Sequence, residues 1–180
     1  QLNNPSITDS AAAIEGWRGA DFITGDDKAN TIYAKAGNDT INAKGGNDYI
    51  DGGIGNNTYL FKAGDGNDVI SYDYLNTAES DKIVIKGVNS PAATLYKQGD
   101  NLIIQYGSND TITLNNALLV DAKKQVNVQF DDKTVSLKEL LATPLNNIDS
   151  SLPIIEGWRN DDNLLGNEAD NQLLGLTGND

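Results

Sequence analysis

Between residues 16 and 71 one apolar position returns in every nine-residue unit of an otherwise polar stretch. Ile23, Ile32, Ile41, Ile50, Tyr59 and Ile70 stand eighth in six consecutive units. These read GWRGADFIT, GDDKANTIY, AKAGNDTIN, AKGGNDYID, GGIGNNTYL and, after the inserted pair Phe61-Lys62, AGDGNDVIS. One apolar residue between polar neighbours predicts a strand of about three residues with a single side chain turned inward. So short a strand buries little alone. Stacked, the six would align their inward residues into ladders, the only apolar core a narrow parallel solenoid has. The first half of each unit must then turn tightly, and Gly at its second or fourth place accepts the positive φ this needs.

From Tyr72 onward the rhythm gives way to ordinary strand signals. Lys82–Lys86 is one strand. Thr94–Gln98 and Asn101–Tyr106 flank a turn at Gly99-Asp100. Thr111–Leu114 and Gln125–Phe130 follow, and Ser136 with Glu139 has the spacing of a capping box that opens a short helix through Leu140 and Leu141. The chain therefore reads as all-β: a parallel β-roll, then a small antiparallel β capping domain with a short helix. We divide it into a lead-in (1–15), the roll (16–71), the cap (72–142), a Pro- and Asn-bearing linker (143–154) and the start of a second roll (155–180). Residues 14–39 recur at 155–180 with an offset of 141, so Ile14-Glu15-Gly16-Trp17-Arg18 returns as Ile155-Glu156-Gly157-Trp158-Arg159. This duplication predicts a segment cut from a longer tandem array. The partial second block is expected to be poorly ordered or to stack on another chain's roll.

The chemistry sits at the sixth place of each unit. Two units make one coil, so units two apart share a side. One side aligns Asp21, Asp39 and Asn57, and the other aligns Asn30, Asp48 and Asp68. Carbonyls of a tight Gly-rich turn lack partners and need one. Calcium accepts a mixture of carboxylate and carbonyl oxygens. The turns at the fourth-place glycines Gly19, Gly37, Gly46, Gly55 and Gly66 would supply the carbonyls. Up to four ions are expected, shared by Asp21 with Asp39, Asp39 with Asn57, Asn30 with Asp48, and Asp48 with Asp68. The Asp21/Asp39 and Asp48/Asp68 sites keep both charges and should be tightest, because affinity follows ligand charge. One more site would form if Asp162 meets Asp180. A flexible Gly/Asn/Asp linker would not place an aliphatic or aromatic residue at each eighth position, and no EF-hand loop ends in the Glu that its twelfth position requires.

These units resemble those of the RTX (repeats-in-toxin) family of secreted proteins. The resemblance covers 16–71 and part of 157–180, and departs at Trp17, Asp26, Lys35 and Lys28. It implies a calcium-loaded β-roll, unfolded before type I export and folded outside the cell, secreted or on the bacterial surface. Residues 72–142 resemble the small β-domain that follows calcium repeats in haemolysin-type proteins, through Asp81-Lys82-Ile83, Asn101-Leu102-Ile103 and Val128-Gln129-Phe130-Asp131-Asp132. The implied role is to cap the open end of the roll, whose strand edges would otherwise invite aggregation.

Composition narrows the function. The net charge is −13, from 26 acidic against 13 basic residues, and four calcium ions would leave −5. That charge disfavours nucleic acid, and repulsion among aligned carboxylates should keep the metal-free solenoid open. Without Cys there are no disulfides. No stretch approaches the roughly 20 apolar residues of a membrane span, and Gln1–Ser10 lacks the features of a signal peptide. No catalytic constellation stands out: His and Cys are absent, as are G-x-S-x-G and phosphate-loop motifs. No proline follows an Asp, so the self-cleavage some RTX proteins perform at Asp-Pro bonds is not expected. Trp17 and Trp158 are expected to cover the N-terminal end of each roll, or to act with Arg18 and Arg159 as a sugar-stacking platform. We thus expect a non-enzymatic, calcium-dependent folding module whose partners are calcium and neighbouring modules of its parent chain. The alternatives are an adhesive module that binds a host glycan or protein, and an accessory domain of a secreted enzyme.

Overall fold

The structure is a computed structural model that describes residues 6–8, 13–71, 79–118, 125–142, 146–147, 154–156 and 172–175. Eight strands build the roll: β1 (Ser6–Thr8), β2 (Ala13–Glu15), β3 (Phe22–Thr24), β4 (Thr31–Tyr33), β5 (Thr40–Asn42), β6 (Tyr49–Asp51), β7 (Thr58–Lys62) and β8 (Asn67–Ser71). Odd strands pair in parallel on one side and even strands on the other, with Ile23 opposite Ile41 and Ile32 opposite Ile50. One coil is therefore two units. In each three-residue strand from β2 to β6 only the middle residue is fully buried. Ile14, Ile23, Ile32, Ile41, Ile50, Tyr59 and Ile70 form the two inner ladders.

The fourth-place glycines are held by stacking as well as by φ. A Cβ on Gly55 (φ 128°) would lie 1.9 Å from the Gly37 carbonyl oxygen, and one on Gly66 (φ 103°) 2.0 Å from that of Gly46. Each glycine thus lets the coil before it approach within backbone contact. Second places are left-handed from the third unit onward: Lys35 (φ 75°), Lys44 (φ 70°), Gly53 (φ 67°) and Gly64 (φ 89°).

The segment expected as a separate antiparallel cap is built differently. It comprises β9 (Ser80–Lys86), β10 (Thr94–Gln98), β11 (Asn101–Gln105), β12 (Thr111–Leu114), β13 (Gln125–Gln129), β14 (Thr134–Ser136) and the helix α1 (Leu137–Leu140). The β10–β11–β12 and β13–β14 pairs are antiparallel, whereas β9, β12 and β13 join the roll's own sheets in parallel. The first sheet runs β1-β3-β5-β7-β9-β13-β14. The second ends β12-β8-β6-β4-β2. Both ladders continue across the boundary drawn at residue 71, Tyr59 onto Ile83 and Ile70 onto Leu114. One apolar core serves both parts. The inserted Phe61-Lys62 lengthens β7 to match the longer β9, and buried Phe61 packs against Tyr106 with ring centroids 6.4 Å apart. At α1 the Glu139 N–H donates to Ser136 Oγ and the Glu139 carboxylate accepts the Ser136 N–H, the expected capping box.

Within the expected linker, β15 (Asn146–Asn147) adds to β10 in parallel. In the second block β16 (Ile154–Glu156) pairs with β17 (Gln172–Leu174), setting Ile155 against Leu173 as Ile14 is set against Ile32. That short pair repeats the first coil of the roll.

Stacking and φ can be separated by mutation. Gly64 has positive φ but open space around it. Gly64→Ala should therefore destabilise by about 1–2 kcal/mol, the left-handed penalty alone. Gly55→Ala adds the overlap with Gly37 and should destabilise clearly more. Denaturant midpoints of both variants in calcium check the order.

Candidate metal centre

The sixth place of each unit lies at a corner where the turn enters its strand, so its side chain points inward beside the eighth. Burial there forces its polar atoms to find partners. One oxygen always does. Asp21 N–H donates to Asp39 Oδ1 (2.8 Å), Asp39 N–H to Asn57 Oδ1 (3.0 Å), and Asn57 N–H to Asp81 Oδ1 (2.8 Å). On the other side Asn30 N–H donates to Asp48 Oδ1 (2.7 Å) and Asp48 N–H to Asp68 Oδ1 (2.9 Å). The structure thus gathers Asp21, Asp39 and Asn57 into one column and Asn30, Asp48 and Asp68 into the other.

Asp81 extends the first column, and sequence reasoning did not place it there. The signal was its Asp-Lys-Ile run, which keeps the repeat's sixth-to-eighth pattern. Asp110 adjoins the end of the second column, accepting the Gly66 N–H at 3.1 Å. A second ladder of opposite direction was also missed. Asn38 Oδ1 accepts the Asn56 N–H, Asn47 Oδ1 accepts the Asn67 N–H, and Asn56 Oδ1 accepts the Ser80 N–H, at 2.7–3.0 Å. Asparagine at the fifth place of four units was its signal.

The other carboxylate oxygen decides the chemistry. Among the described residues no N–H or hydroxyl donor reaches Oδ2 of Asp39, Asp48 or Asp68, which are buried in residues only 1–2% exposed. The Asp48 and Asp68 carboxyls can only share a proton with each other. Removal from water pushes these carboxyls up, to about 6 for Asp39 and Asp48 and about 8 for Asp68, against 3.8 ordinarily. The backbone N–H bonds just described pull the other way and do not compensate. Among the described residues no three acidic, His or Cys side chains gather into one cluster. A cation here must therefore also use backbone oxygens. Asn57 shows where they are: its Nδ2 donates to Gly52 O at 3.0 Å and reaches Gly53 O and Gly55 O at 3.5 Å. In that loop the carbonyls of places one, two and four converge on the outer atom of the sixth side chain. In the loops of Asp39, Asp48 and Asp68, which share the left-handed second place, that atom is a carboxylate oxygen. Carbonyl and carboxylate oxygens facing one another repel unless a cation lies between, and the set is the hard-oxygen type that suits calcium.

The first two units differ. Trp17 and Asp26 do not adopt the left-handed second place, and their N–H groups turn onto the sixth side chain. Trp17 N–H donates to Asp21 Oδ2 (2.6 Å), and Asp26 N–H to Asn30 Oδ1 (3.0 Å). Trp17 does not cover the end of the roll, as its side chain was expected to do. It is 62% exposed. The backbone of β1 pairs with β3 at that end and extends that sheet by one strand. Trp158, Asp162 and Asp180 lie outside the described residues.

Comparison with protein-family models finds the RTX calcium-binding nonapeptide repeat in four copies, over residues 24–59 and 154–180. The chain carries RTX calcium-binding nonapeptide repeats. No curated protein matches the chain. The match over 24–59 contains Asp39, Asp48 and Asn57 with their loops, and the second match falls on the block that β16 and β17 open. RTX repeats bind calcium and form β-rolls, which agrees with the paired parallel sheets and with the orphaned oxygens of this one. No helix among the described residues is long and apolar enough to cross a membrane.

The raised carboxyls set a pH dependence for the metal-free roll. Their folded pKa values lie above the unfolded value of 3.8, so the fold binds more protons than the unfolded chain between about pH 4 and 8. Stability is greatest below that window and falls as pH rises through 6 and then 8. Every tenfold gain in proton affinity on folding is worth about 1.4 kcal/mol before solvent screening. In calcium-stripped buffer the unfolding midpoint should be lower at pH 8 than at pH 5. An Asp39→Asn/Asp48→Asn/Asp68→Asn variant should flatten that slope.

Proposed function

We propose that this chain is a calcium-dependent structural module of a secreted or surface-exposed tandem-repeat protein, with no catalytic role of its own. The observation that carries it is the set of three buried carboxylate oxygens, of Asp39, Asp48 and Asp68, that accept no hydrogen bond from any N–H or hydroxyl of the described residues. Bound calcium supplies the positive charge those corners lack. Three ions at these carboxylates are the occupancy the described residues support, one fewer than the four expected from sequence alone.

Switching follows from the same atoms. Where calcium is scarce, as in a cytosol, the charged corners oppose folding. At the roughly millimolar calcium suited to extracellular modules they hold the coils together. RTX repeat proteins are typically secreted, which supports a folding step outside the cell. The strands from β9 to β14 then close the roll by continuing its sheets. The recurrence of 14–39 at 155–180 supports a parent in which roll and closing strands alternate.

A second reading, adhesion to a glycan or host protein, is favoured by one observation: the exposed Trp17 with Phe22, also exposed, five residues on.

Far-UV circular dichroism during a calcium titration of chelator-treated protein tests the main reading, with magnesium as control. A cooperative gain of β signal in calcium alone is expected. A spectrum already folded and unmoved by calcium would contradict it and bring the adhesive reading forward.

A further inference from the structure

One rung of the roll is filled by the protein itself. Asn57 has only one acceptor atom, and the Asp39 N–H takes it at 3.0 Å. Its amide nitrogen must then face the loop, where it donates to Gly52 O and approaches Gly53 O and Gly55 O. Reversing the amide would set a donor against the Asp39 N–H and an oxygen against three carbonyls, so the surroundings fix its orientation. A ligand role would need that reversed amide. An aspartate escapes this conflict because both of its oxygens accept.

The neighbours of Asn57 are adapted to the same end. Tyr59 is the one aromatic at an eighth place. Its hydroxyl donates to Asp81 Oδ2 at 3.2 Å, so the next carboxylate in the column has both oxygens occupied. Oδ2 of Asp39, Asp48 and Asp68 has nothing equivalent. The hydroxyl also fills the first-place corner, since a Cβ on Gly52 would meet it at 2.1 Å and the Asn57 amide nitrogen at 2.9 Å.

We infer that the rung formed by Gly52, Asn57, Tyr59 and Asp81 takes no calcium, its carbonyls and carboxylate being satisfied by the Asn57 amide and the Tyr59 hydroxyl. This rests on the calcium reading above and deepens it: it names which corner of the roll is independent of the ion. The rung lies where the nonapeptide units hand over to β9, so the junction keeps its hydrogen bonds when calcium is absent.

Native mass spectrometry of the whole chain counts bound calcium, alongside thermal unfolding in calcium-free buffer. Asn57→Ala should keep the wild-type count and lower the metal-free midpoint, whereas loss of one ion would overturn the inference. Asn57→Asp/Tyr59→Phe supplies the missing acceptor and removes the hydroxyl. It should gain one ion and unfold at a lower temperature without calcium. An unchanged count in that variant would overturn the inference even if Asn57→Ala fails to fold. A wild-type chain that binds no calcium would instead bring down the calcium reading itself and this inference with it.

Discussion

From the third unit onward each corner of the roll asks one side chain for two acceptors. The inner one receives the backbone N–H of the corresponding residue a coil earlier, a bond that fixes the spacing between coils. The outer one turns toward its own loop, as at Asn57, and among the described residues no N–H or hydroxyl donor arrives at Asp39, Asp48 or Asp68. Aspartate answers the first demand and leaves the second open to a cation. The inner ladders of isoleucine, by contrast, make no contact that a metal would supply. Their core is one residue wide in each three-residue strand, which is thin support for buried like charges. The electrostatics of the corners therefore decide whether the apolar ladders can form at all.

The same constraint explains the rest of the repeat. Gly at the fourth place permits the backbone contact that brings adjacent turns together. Small residues at the first place, among them buried Ala34 and Ala43, leave the corner open. Where the pattern is broken, a compensating donor is found: the Trp17 N–H on Asp21, the Asn57 amide on its own carbonyls, the Tyr59 hydroxyl on Asp81. The closing strands need no such device, because their broader core carries Tyr106, Phe130 and the leucines of α1. The roll therefore passes from corners without internal donors to a rung with them, and then to an ordinary apolar core.

Much of this was legible in the sequence. The nine-residue period gives the strands, their inward residues and the sharing of sides by alternate units, because each coil repeats the same few atoms. The strands at 94–98, 101–105 and 111–114 were legible from alternation and turn residues. Alternation does not state which neighbour a strand joins or in which direction, so the merger of β9, β12 and β13 with the roll was not visible. Asp81 escaped because it lies 24 residues beyond Asn57, where the coils before it are 18 apart. Asn57 itself reads as a weak ligand, since a sequence does not show which end of an amide faces a turn. Trp17 reads as a lid because the strand that extends that end of the sheet, Ser6–Thr8, carries no repeat signature.

The most direct test is a crystal structure grown in calcium, with anomalous differences to identify the ions. The account predicts an ion about 2.3–2.6 Å from Oδ2 of each of Asp39, Asp48 and Asp68, completed by loop carbonyls. Those three oxygens bound only to water or protein donors, with calcium elsewhere or absent, would contradict it.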